Sequence, residues 1–311
     1  MLIPALALLG GSLCLWLGAE ALVRGAATLG YRWGISSIVI GLTVVSVGTS
    51  APELVVCILA ALDGNPDLAM GNVMGSNLAN VGLILGLAAI IRPVDVTGQV
   101  VRREIPWMLG VTFLVLPLIW NLELGRVEGT ILALVLILYV GLLFRASRRQ
   151  PAPELGDIVV RPEGGVVLPL AGVLGGALLL VAGGQGIVFG ATQMADSLGV
   201  SHMIIGLSVV AVGTSLPELA TTLVAAMRAE ADLAVGNIVG SNIFNLTFVL
   251  GGTALVSPIA VSPGVLIREY PAVVFISLAL LPVALGRRIR RVEGLLLLAF
   301  YTGAWAWLLR G

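Results

Sequence analysis

Long apolar runs recur along the whole chain and constrain its fold more than any other feature. A transmembrane helix needs about 20 consecutive apolar residues, and runs of roughly that length occur ten times. Apolar residues make up 58% of the 311 residues and charged residues only 11%, against about 25% charged in soluble proteins. The pattern predicts an all-α integral membrane protein with ten transmembrane helices and excludes a soluble fold. The runs lie near residues 2–19, 35–62, 68–91, 105–122, 127–144, 166–189, 203–227, 232–257, 270–286 and 292–309.

The basic residues predict how the chain is oriented in the membrane. All 17 are arginines, and if the N-terminus lies outside, fourteen of them fall in inward loops. Cytoplasmic loops carry such an excess of positive charge, so we place the chain in the cell (inner) membrane with both termini outside and the central linker cytoplasmic. The net charge of zero gives no indication of nucleic-acid binding. The arginines left outside are Arg126, Arg268 and Arg310.

The chain is an internal duplication, in which Gly41 of the first half corresponds to Gly206 of the second. In this duplication register the segment 41–53 returns as 206–218 with ten of thirteen residues identical, and Gly-Asn-x-x-Gly-Ser-Asn at 71–77 returns at 236–242. Five spans per half is an odd number, so the second half must enter the membrane with the opposite orientation. Such inverted-topology five-helix repeats are typical of transporters. The predicted divisions are a first half (1–145), a cytoplasmic linker (146–165) and a second half (166–311).

The repeated Gly-Thr-Ser-x-Pro-Glu segment places a proline inside an apolar span. Pro52 in span two and Pro217 in span seven each remove a backbone hydrogen bond and clash with the preceding turn. We predict that helices 2 and 7 are broken at these prolines. Unwound backbone at membrane depth is tolerated where it lines a cavity, and paired interrupted spans therefore indicate a binding site.

Glu53 and Glu218 are the only charged side chains inside their spans. A charge near the bilayer centre costs about 2.5–3.5 kcal/mol on insertion scales, and a bound cation is the natural compensation. Hydroxyl and amide groups on the same spans, and on spans three and eight, complete an all-oxygen set. Calcium takes about 6–8 oxygen ligands in adaptable geometry, whereas zinc and copper favour imidazole or thiolate. The oxygen donors are Thr49, Ser50, Ser76, Asn80, Thr214, Ser215, Ser241 and Asn245.

Two structural alternatives stand beside the ion-site hypothesis. The four residues from Ser50 to Glu53, and those from Ser215 to Glu218, match a capping box at the start of a helix. On spans three and eight, polar residues recur every four positions, as in Asn72, Ser76 and Asn80, and therefore form a stripe along one face of the helix. Such stripes also match the side chains that hydrogen-bond neighbouring membrane helices to each other. Four amides remain divided between site and packing: Asn72, Asn77, Asn237 and Asn242.

The two duplicated motifs resemble those of the cation/calcium exchanger superfamily, and within it the sodium/calcium exchangers of bacterial or archaeal type. The resemblance covers essentially the whole chain. It implies ten helices around one central ion cluster, and alternating access in which the first and sixth helices slide across the core. It also implies that calcium and sodium share Glu53 and Glu218. The further ligands it implies are Thr49, Ser50, Ser76, Asn80, Thr214, Ser215, Ser241 and Asn245, with the backbone carbonyls of Ser46 and Ala211 as additional candidates.

One departure from the family pattern bears on the driving ion. Members often carry an acidic residue at the end of one Gly-Ser-Asn motif, but here both ends, Asn80 and Asn245, are neutral. In the family that acidic residue is linked to potassium co-transport or to a further protonatable group, so the resemblance implies potassium independence. Two carboxylates balance one calcium ion, while the three sodium ions that the resemblance implies leave one excess charge. We therefore predict electrogenic exchange.

The leading hypothesis is a secondary active antiporter that exchanges sodium for calcium, with calcium/proton antiport through the same glutamates as the alternative. A channel is less favoured because nothing resembles a selectivity filter. An enzyme is not predicted, since the sequence has no His/Cys metal cluster and no nucleophile paired with a base. We expect no cofactor and no obligatory protein partner beyond the transported ions and the lipid bilayer. Glu20, which matches Gln185 in the repeat, is assigned a structural or interfacial role.

Overall fold

The structure, a computed structural model, describes residues 2–147, 165–197 and 211–308. Most of these residues are helical, as the apolar runs predict, and seven helical stretches among them are long and apolar enough to cross a membrane. Most of the predicted linker and the start of the seventh span lie outside the described residues, and the number of crossings stays a prediction. The seven stretches are Ile3–Trp33, Ile38–Leu62, Pro66–Ile91, Arg126–Ala146, Val167–Met194, Ala231–Val256 and Val265–Leu285.

The first half combines α-helices with π-helical segments and two very short strands. Its elements are α1 (Leu2–Trp33), α2 (Ser37–Ile40), π1 (Gly41–Val45), α3 (Ser46–Leu62), α4 (Pro66–Ala79), π2 (Asn80–Ile84), α5 (Leu85–Ile91), β1 (Val94–Asp95), π3 (Val100–Glu104), α6 (Ile105–Ile119), β2 (Glu123–Leu124) and α7 (Arg126–Ser147). A π-helix inserts one extra residue into a turn, and such segments are frequent at functional sites.

The described part of the second half follows this order in the duplication register, with two helices, α9 and α10, in the place of α3. Its elements are α8 (Val167–Ser197), α9 (Ala211–Thr214), α10 (Leu216–Met227), α11 (Ala231–Phe244), π4 (Asn245–Val249), α12 (Leu250–Val256), β3 (Ile259–Ala260), π5 (Val265–Glu269), α13 (Tyr270–Leu285), β4 (Arg288–Ile289) and α14 (Arg291–Leu308). Asn80, for example, begins π2, and its repeat mate Asn245 begins π4. The secondary structure therefore follows the sequence duplication.

Spans three and eight lie at the centre of the molecule. In the stretch Ala231–Val256, 94% of the most apolar segment is buried inside the protein, and in Pro66–Ile91 the buried share is 72%. In Ile3–Trp33 the buried share is only 33%. A polar side chain inside a buried helix is costly unless it has a hydrogen-bond partner or a ligand. The asparagines and serines of α4 and α11 are buried, so each of them needs such a partner or ligand.

Two short antiparallel strand pairs join the halves. Val94 of β1 pairs with Ile289 of β4, and Leu124 of β2 pairs with Ile259 of β3. In the duplication register Val94 corresponds to Ile259 and Leu124 to Ile289, so exchanging the halves maps one pair onto the other. Each half thus supplies a strand to the other.

Helices α1 and α8 lie against each other at very short distance. A β-carbon on Gly18 would lie 2.8 Å from the carbonyl oxygen of Gly176, and one on Gly11 would lie 2.8 Å from that of Gly183. Only glycine fits at these crossings, which is the small-residue packing of membrane helices. Because residue numbers rise along α1 as they fall along α8, the two helices are antiparallel.

The prolines of the repeated motif act differently in the two halves. The predicted break at Pro52 is wrong, because α3 continues through it and the irregularity lies upstream in π1. A proline removes only the hydrogen bond to the residue four positions earlier, here Gly48, and the flanking bonds maintain the helix. The predicted interruption of helix 7 is present: α9 ends before Ser215, and α10 begins after it with Pro217 in its first turn.

The capping-box alternative does not account for the two serines. Ser215 occupies the N-cap position of α10, but its hydroxyl makes no capping hydrogen bond. Ser50 lies inside α3 rather than before a helix. Both hydroxyls instead donate to buried side chains of the other half.

Candidate ion site

The repeated motifs of the two halves meet inside the molecule. The Ser50 hydroxyl of α3 donates to Oε1 of Glu218 in α10 at 3.2 Å. The Ser215 hydroxyl donates to Oγ of Ser76 in α4, also at 3.2 Å. All four residues are buried. The structure therefore brings three predicted serines and one predicted glutamate into contact across the boundary between the halves.

Two threonine–asparagine pairs cross the same boundary. The Thr49 hydroxyl donates to Oδ1 of Asn237 at 3.3 Å, and the Thr214 hydroxyl donates to Oδ1 of Asn72 at 3.0 Å. Thr214 is the repeat mate of Thr49, and Asn72 is the repeat mate of Asn237. The second pair is therefore the first pair with the halves exchanged. The two asparagines, which the sequence left between site and packing, thus hold the predicted threonine ligands of the opposite half.

Glu53 and Glu218 are buried carboxylates, 1% and 0% exposed. One comes from each half, Glu53 from α3 and Glu218 from α10. Among the described residues, no hydrogen-bond donor reaches either oxygen of Glu53 or Oε2 of Glu218. A buried ionised carboxylate is costly unless it is paired, and a cation would satisfy all three of these oxygens.

Further buried polar atoms without a partner lie on the central spans. Asn80 donates its amide to Oδ1 of Asn242 at 3.0 Å, which leaves Oδ1 of Asn80 without a donor among the described residues. Ser241 Oγ and both amide atoms of Asn245 also lack partners there. Asn80 and Asn245 each begin a π-helix, where the changed helical turn alters the direction of the following side chains.

The two candidate backbone ligands are described to different extents. The Ser46 carbonyl accepts a hydrogen bond from the Thr49 hydroxyl at 3.4 Å, and the Ser46 hydroxyl donates to the Gly41 carbonyl at 2.8 Å. Ser46 is therefore part of the network around the site. Ala211 is the first residue of α9, and the segment before it lies outside the described residues. A role for the Ala211 carbonyl stays a prediction.

The donor chemistry is that of a site for a hard cation. No group of three or more His, Cys, Asp or Glu residues that could hold a metal ion occurs in the described part of the chain. The available groups are carboxylate, amide and hydroxyl oxygens. Such a set suits calcium, which binds oxygen ligands, and does not suit zinc or copper, which favour imidazole and thiolate.

Sequence reasoning missed the groups that orient the two asparagines. The Asn237 amide donates to the Thr222 hydroxyl at 2.9 Å, and the Asn72 amide donates to Sγ of Cys57 at 3.4 Å. Cys57 and Thr222 are repeat mates in the duplication register. The duplication could have identified these two residues, because each follows the glutamate of its own half by four residues, or one helical turn.

Comparison with known proteins gives one consistent family. The family described as sodium/calcium exchanger protein matches residues 3–145 and 168–310, two stretches that correspond in the duplication register. The putative antiporter CaxA of Alkalimonas amylolytica is 38% identical, with 97% of this chain and 98% of that protein covered. The inner membrane protein YrbG of Escherichia coli K12 is 39% identical, with coverages of 89% and 87%. The sodium/calcium exchanger MaX1 of Methanosarcina acetivorans is 33% identical, with 95% of both covered.

Solved structures resemble the whole fold. The sodium-calcium exchanger NCX_Mj soaked with 10 mM Na⁺ and no Ca²⁺ superposes with a TM-score of 0.85 at 31% identity, covering 98% of both chains. The same exchanger soaked with 2.5 mM Na⁺ and 0.1 mM Ca²⁺ gives a TM-score of 0.84 at 30% identity, again covering 98% of both chains. With its buried carboxylates, its apolar helices and these relatives, the chain belongs to the sodium/calcium exchanger protein family of integral membrane cation/calcium antiporters.

Proposed function

We propose that the chain is a secondary active antiporter that exchanges sodium for calcium across the cell membrane. The observation that carries the proposal is the pair of buried carboxylates, Glu53 and Glu218, one from each half, with three of their four oxygens lacking a donor among the described residues. One calcium ion neutralises two carboxylates, and sodium ions compete for the same oxygens. Each ion therefore replaces the other as the compensating charge, which is the requirement for coupled exchange.

The proposed ion ligands are the two glutamates and the polar groups around them. Calcium needs about 6–8 oxygens, more than two carboxylates supply. The hydrogen bonds from Ser50 to Glu218 and from Ser215 to Ser76 support a site at the boundary between the halves. The full proposed set is Glu53, Glu218, Thr49, Ser50, Ser76, Asn80, Thr214, Ser215, Ser241 and Asn245, with the carbonyls of Ser46 and Ala211.

We propose ten membrane crossings in two inverted five-helix repeats, with both termini outside and the linker in the cytoplasm. The recurrence of elements in the duplication register and the antiparallel arrangement of α1 and its repeat mate α8 support this topology. Alternating access would then move the α1–α8 pair relative to the central spans, as the family resemblance implies. No obligatory protein partner is required for this cycle.

We propose that exchange is electrogenic and independent of potassium. The proposed site holds two carboxylates, and Asn80 and Asn245 add no further charge. Exchange of three sodium ions for one calcium ion would move one net positive charge in the direction of sodium. A potential that is positive on the sodium-loaded side should therefore accelerate calcium uptake, and potassium alone should not change its rate.

Calcium uptake into reconstituted vesicles tests the driving ion. Vesicles loaded with sodium chloride and diluted into sodium-free medium should accumulate labelled calcium, whereas a pH gradient alone should drive none. Protons are the rival driving ion, because the same buried glutamates can carry them. If a pH gradient drives calcium uptake and a sodium gradient does not, sodium/calcium exchange is contradicted and calcium/proton antiport is supported.

Glutamine variants test the two carboxylates. Glu53→Gln and Glu218→Gln should each reduce sodium-driven uptake to the level of protein-free vesicles, because one carboxylate cannot neutralise a calcium ion. Glu123→Gln is the matched control, since Glu123 is exposed in β2 and outside the site. Full uptake by either site variant would contradict the paired-carboxylate site.

A further inference from the structure

The thiol of Cys57 is the far end of a hydrogen-bonded chain that leads to a proposed ion ligand. It donates its S–H to the Ala69 carbonyl, with 3.6 Å between sulfur and oxygen, and accepts an N–H from the Asn72 amide at 3.4 Å. The Asn72 amide oxygen in turn accepts the Thr214 hydroxyl at 3.0 Å. We name Cys57, Asn72 and Thr214 the thiol relay.

The repeat mates of these three residues form a second chain of the same kind. Thr222 accepts an N–H from the Asn237 amide at 2.9 Å, and the Asn237 amide oxygen accepts the Thr49 hydroxyl at 3.3 Å. We name Thr222, Asn237 and Thr49 the hydroxyl relay. In both relays the asparagine and its outer partner belong to one half, and the threonine ligand belongs to the other. The relays differ only in the outer group, which is a thiol in one and a hydroxyl in the other.

The direction of these hydrogen bonds determines what the two threonines can bind. A hydroxyl group has one hydrogen and two lone pairs. Because the Thr214 hydrogen points to the Asn72 oxygen, the lone pairs of Thr214 remain free for a cation. With its oxygen and nitrogen exchanged, the Asn72 amide would donate an N–H to Thr214 and occupy one of those lone pairs. The threonine oxygen would then be a poorer cation ligand.

Cys57 prevents this exchange of the Asn72 oxygen and nitrogen. Its one hydrogen is already donated to the Ala69 carbonyl of α4, so the sulfur can meet the amide only as an acceptor. An acceptor must face the amide nitrogen, and the amide oxygen is thereby directed to Thr214. The thiol therefore selects the amide orientation that leaves the threonine lone pairs free.

The two relays hold their asparagines with unequal strength. Sulfur is a weak acceptor, whereas the Thr222 hydroxyl oxygen is an ordinary one. The Asn237 amide also donates to the Glu218 carbonyl at 3.4 Å, and Asn237 is fully buried. Asn72 instead borders a small cavity of about 40 Å³. The thiol relay is therefore the one that reorients more easily.

We propose that Cys57 and Thr222 are positioning residues of the ion site, which raise its calcium affinity by fixing the two threonine ligands through the asparagines. The proposal rests on the proposed exchange function, in which Thr49 and Thr214 are ion ligands. Neither positioning residue has to contact the ion for this effect. The weaker acceptor, Cys57, leaves calcium affinity below the value that a hydroxyl at the same place would give.

Equilibrium binding of labelled calcium to the purified full chain, in detergent without sodium, tests the acceptors with variants of matched shape. Cys57→Thr and Cys57→Val have side chains of the same shape, but only threonine supplies an acceptor. Cys57→Thr should therefore bind calcium about fivefold more tightly than Cys57→Val, which corresponds to one hydrogen bond. Cys57→Ser and Cys57→Ala repeat the comparison without added bulk. Thr222→Val should bind about fivefold more weakly than the wild type.

A double-mutant cycle distinguishes positioning from a general structural effect. Thr49→Val should weaken calcium binding, and the addition of Thr222→Val should weaken it little further, because the ligand that Thr222 positions is already lost. Thr222→Val combined with Thr214→Val, which belongs to the other relay, should weaken binding by about the product of the two single effects.

Cys14→Ala and Thr112→Val are the controls for loss of a thiol and of a buried hydroxyl. Cys14 lies in α1, and the Thr112 hydroxyl donates to a carbonyl of its own helix at 2.8 Å, so both variants should bind calcium as the wild type does. Equal affinities of Cys57→Thr and Cys57→Val would overturn the proposal. Wild-type affinity of Thr222→Val would also overturn it, as would independent effects of Thr222→Val and Thr49→Val. Absence of calcium binding by the wild type would instead overturn the exchange function itself, so the two failures are distinguishable.

Discussion

Glu53 and Glu218 are repeat mates with unequal surroundings. Glu218 accepts a hydrogen bond from Ser50, but the mate of that serine, Ser215, donates to Ser76 and not to Glu53. Glu53 accepts no hydrogen bond from the described residues. Burial of the Glu53 charge therefore has less compensation from the protein, and this carboxylate depends more on a bound cation.

Glu53→Gln should consequently leave the melting temperature of the purified protein in buffer without calcium or sodium equal to or above that of the wild type, because the neutral amide needs no compensating cation. It should also abolish most of the stabilisation by calcium, since loss of one carboxylate weakens calcium binding by about 3 kcal/mol, or roughly a hundredfold. Thermal unfolding with a chelator and with calcium measures both effects. Glu123→Gln should match the wild type, and calcium stabilisation of Glu53→Gln equal to that of the wild type would contradict the site.

Several residue contacts follow from the sequence, and others do not. The duplication and the isolated carboxylates predict that Ser50 and Glu218 belong to one site, because motifs repeated at membrane depth converge where the halves meet. The contact of Asn237 with Thr222 was not predicted, although the same register contains it. Single-sequence patterns indicate which spans carry polar groups, but rotamers and partner choice depend on the tertiary packing around them.

At the scale of elements, the α1–α8 crossing depends on backbone-to-backbone distance. Gly18→Leu should separate the two helices, because its side chain would start 2.8 Å from the Gly176 carbonyl oxygen. We expect a clear loss of thermal stability and of calcium uptake. Gly10→Leu is the matched control on the same helix, since a β-carbon there meets no atom within 4 Å. Equal stability of the two variants, measured by thermal unfolding in one detergent, would exclude a close-packed crossing.

The element boundaries also show where sequence prediction ends. Apolar run length predicts the helices, but the short π-helices such as π1 and π2 have no sequence signature, since one extra residue per turn reflects contacts with neighbouring helices. Pro52 and Pro217 occupy the same Gly-Thr-Ser-x-Pro-Glu motif, yet only the second half has an interruption there. The two motifs differ only at x, which is Ala51 in the first half and Leu216 in the second, so the shared residues alone do not determine whether the helix is interrupted.

At the scale of the whole molecule, one ion pair breaks the symmetry of the halves. Arg228, at the end of α10, donates to both carboxylate oxygens of Glu20 in α1, with Nε 3.1 Å from Oε2. The repeat mates of these residues are Asp63 and Gln185, which cannot form an ion pair because glutamine is neutral. The pair therefore joins α1 to the second half at one end of the protein only.

In the proposed alternating-access cycle, this pair should stabilise the state in which its own end is closed. Glu20→Gln should shift the population towards the opposite state by up to about fivefold, because a partly exposed pair contributes about 1 kcal/mol or less. Calcium uptake measured from each face of oriented vesicles should show a higher apparent affinity at the face where Arg228 lies. Glu20 also pairs with Arg24 on its own helix, so Arg228→Gln, which leaves that local pair in place, should reproduce the shift, whereas Asp63→Asn should have no such effect. Unchanged affinities at both faces in Glu20→Gln would exclude a role in the cycle.

The strand pairs between the halves also set an order of events during synthesis. Strand β1 follows the third span of the first half, but its partner β4 follows α13 in the second half. While the ribosome is still making the second half, β1 has no partner strand, and its backbone hydrogen-bonding groups remain unpaired by β4. The first half therefore reaches its final form only after β4 has been synthesised, and quality-control proteases would meet a chain truncated before β4 with this edge unpaired.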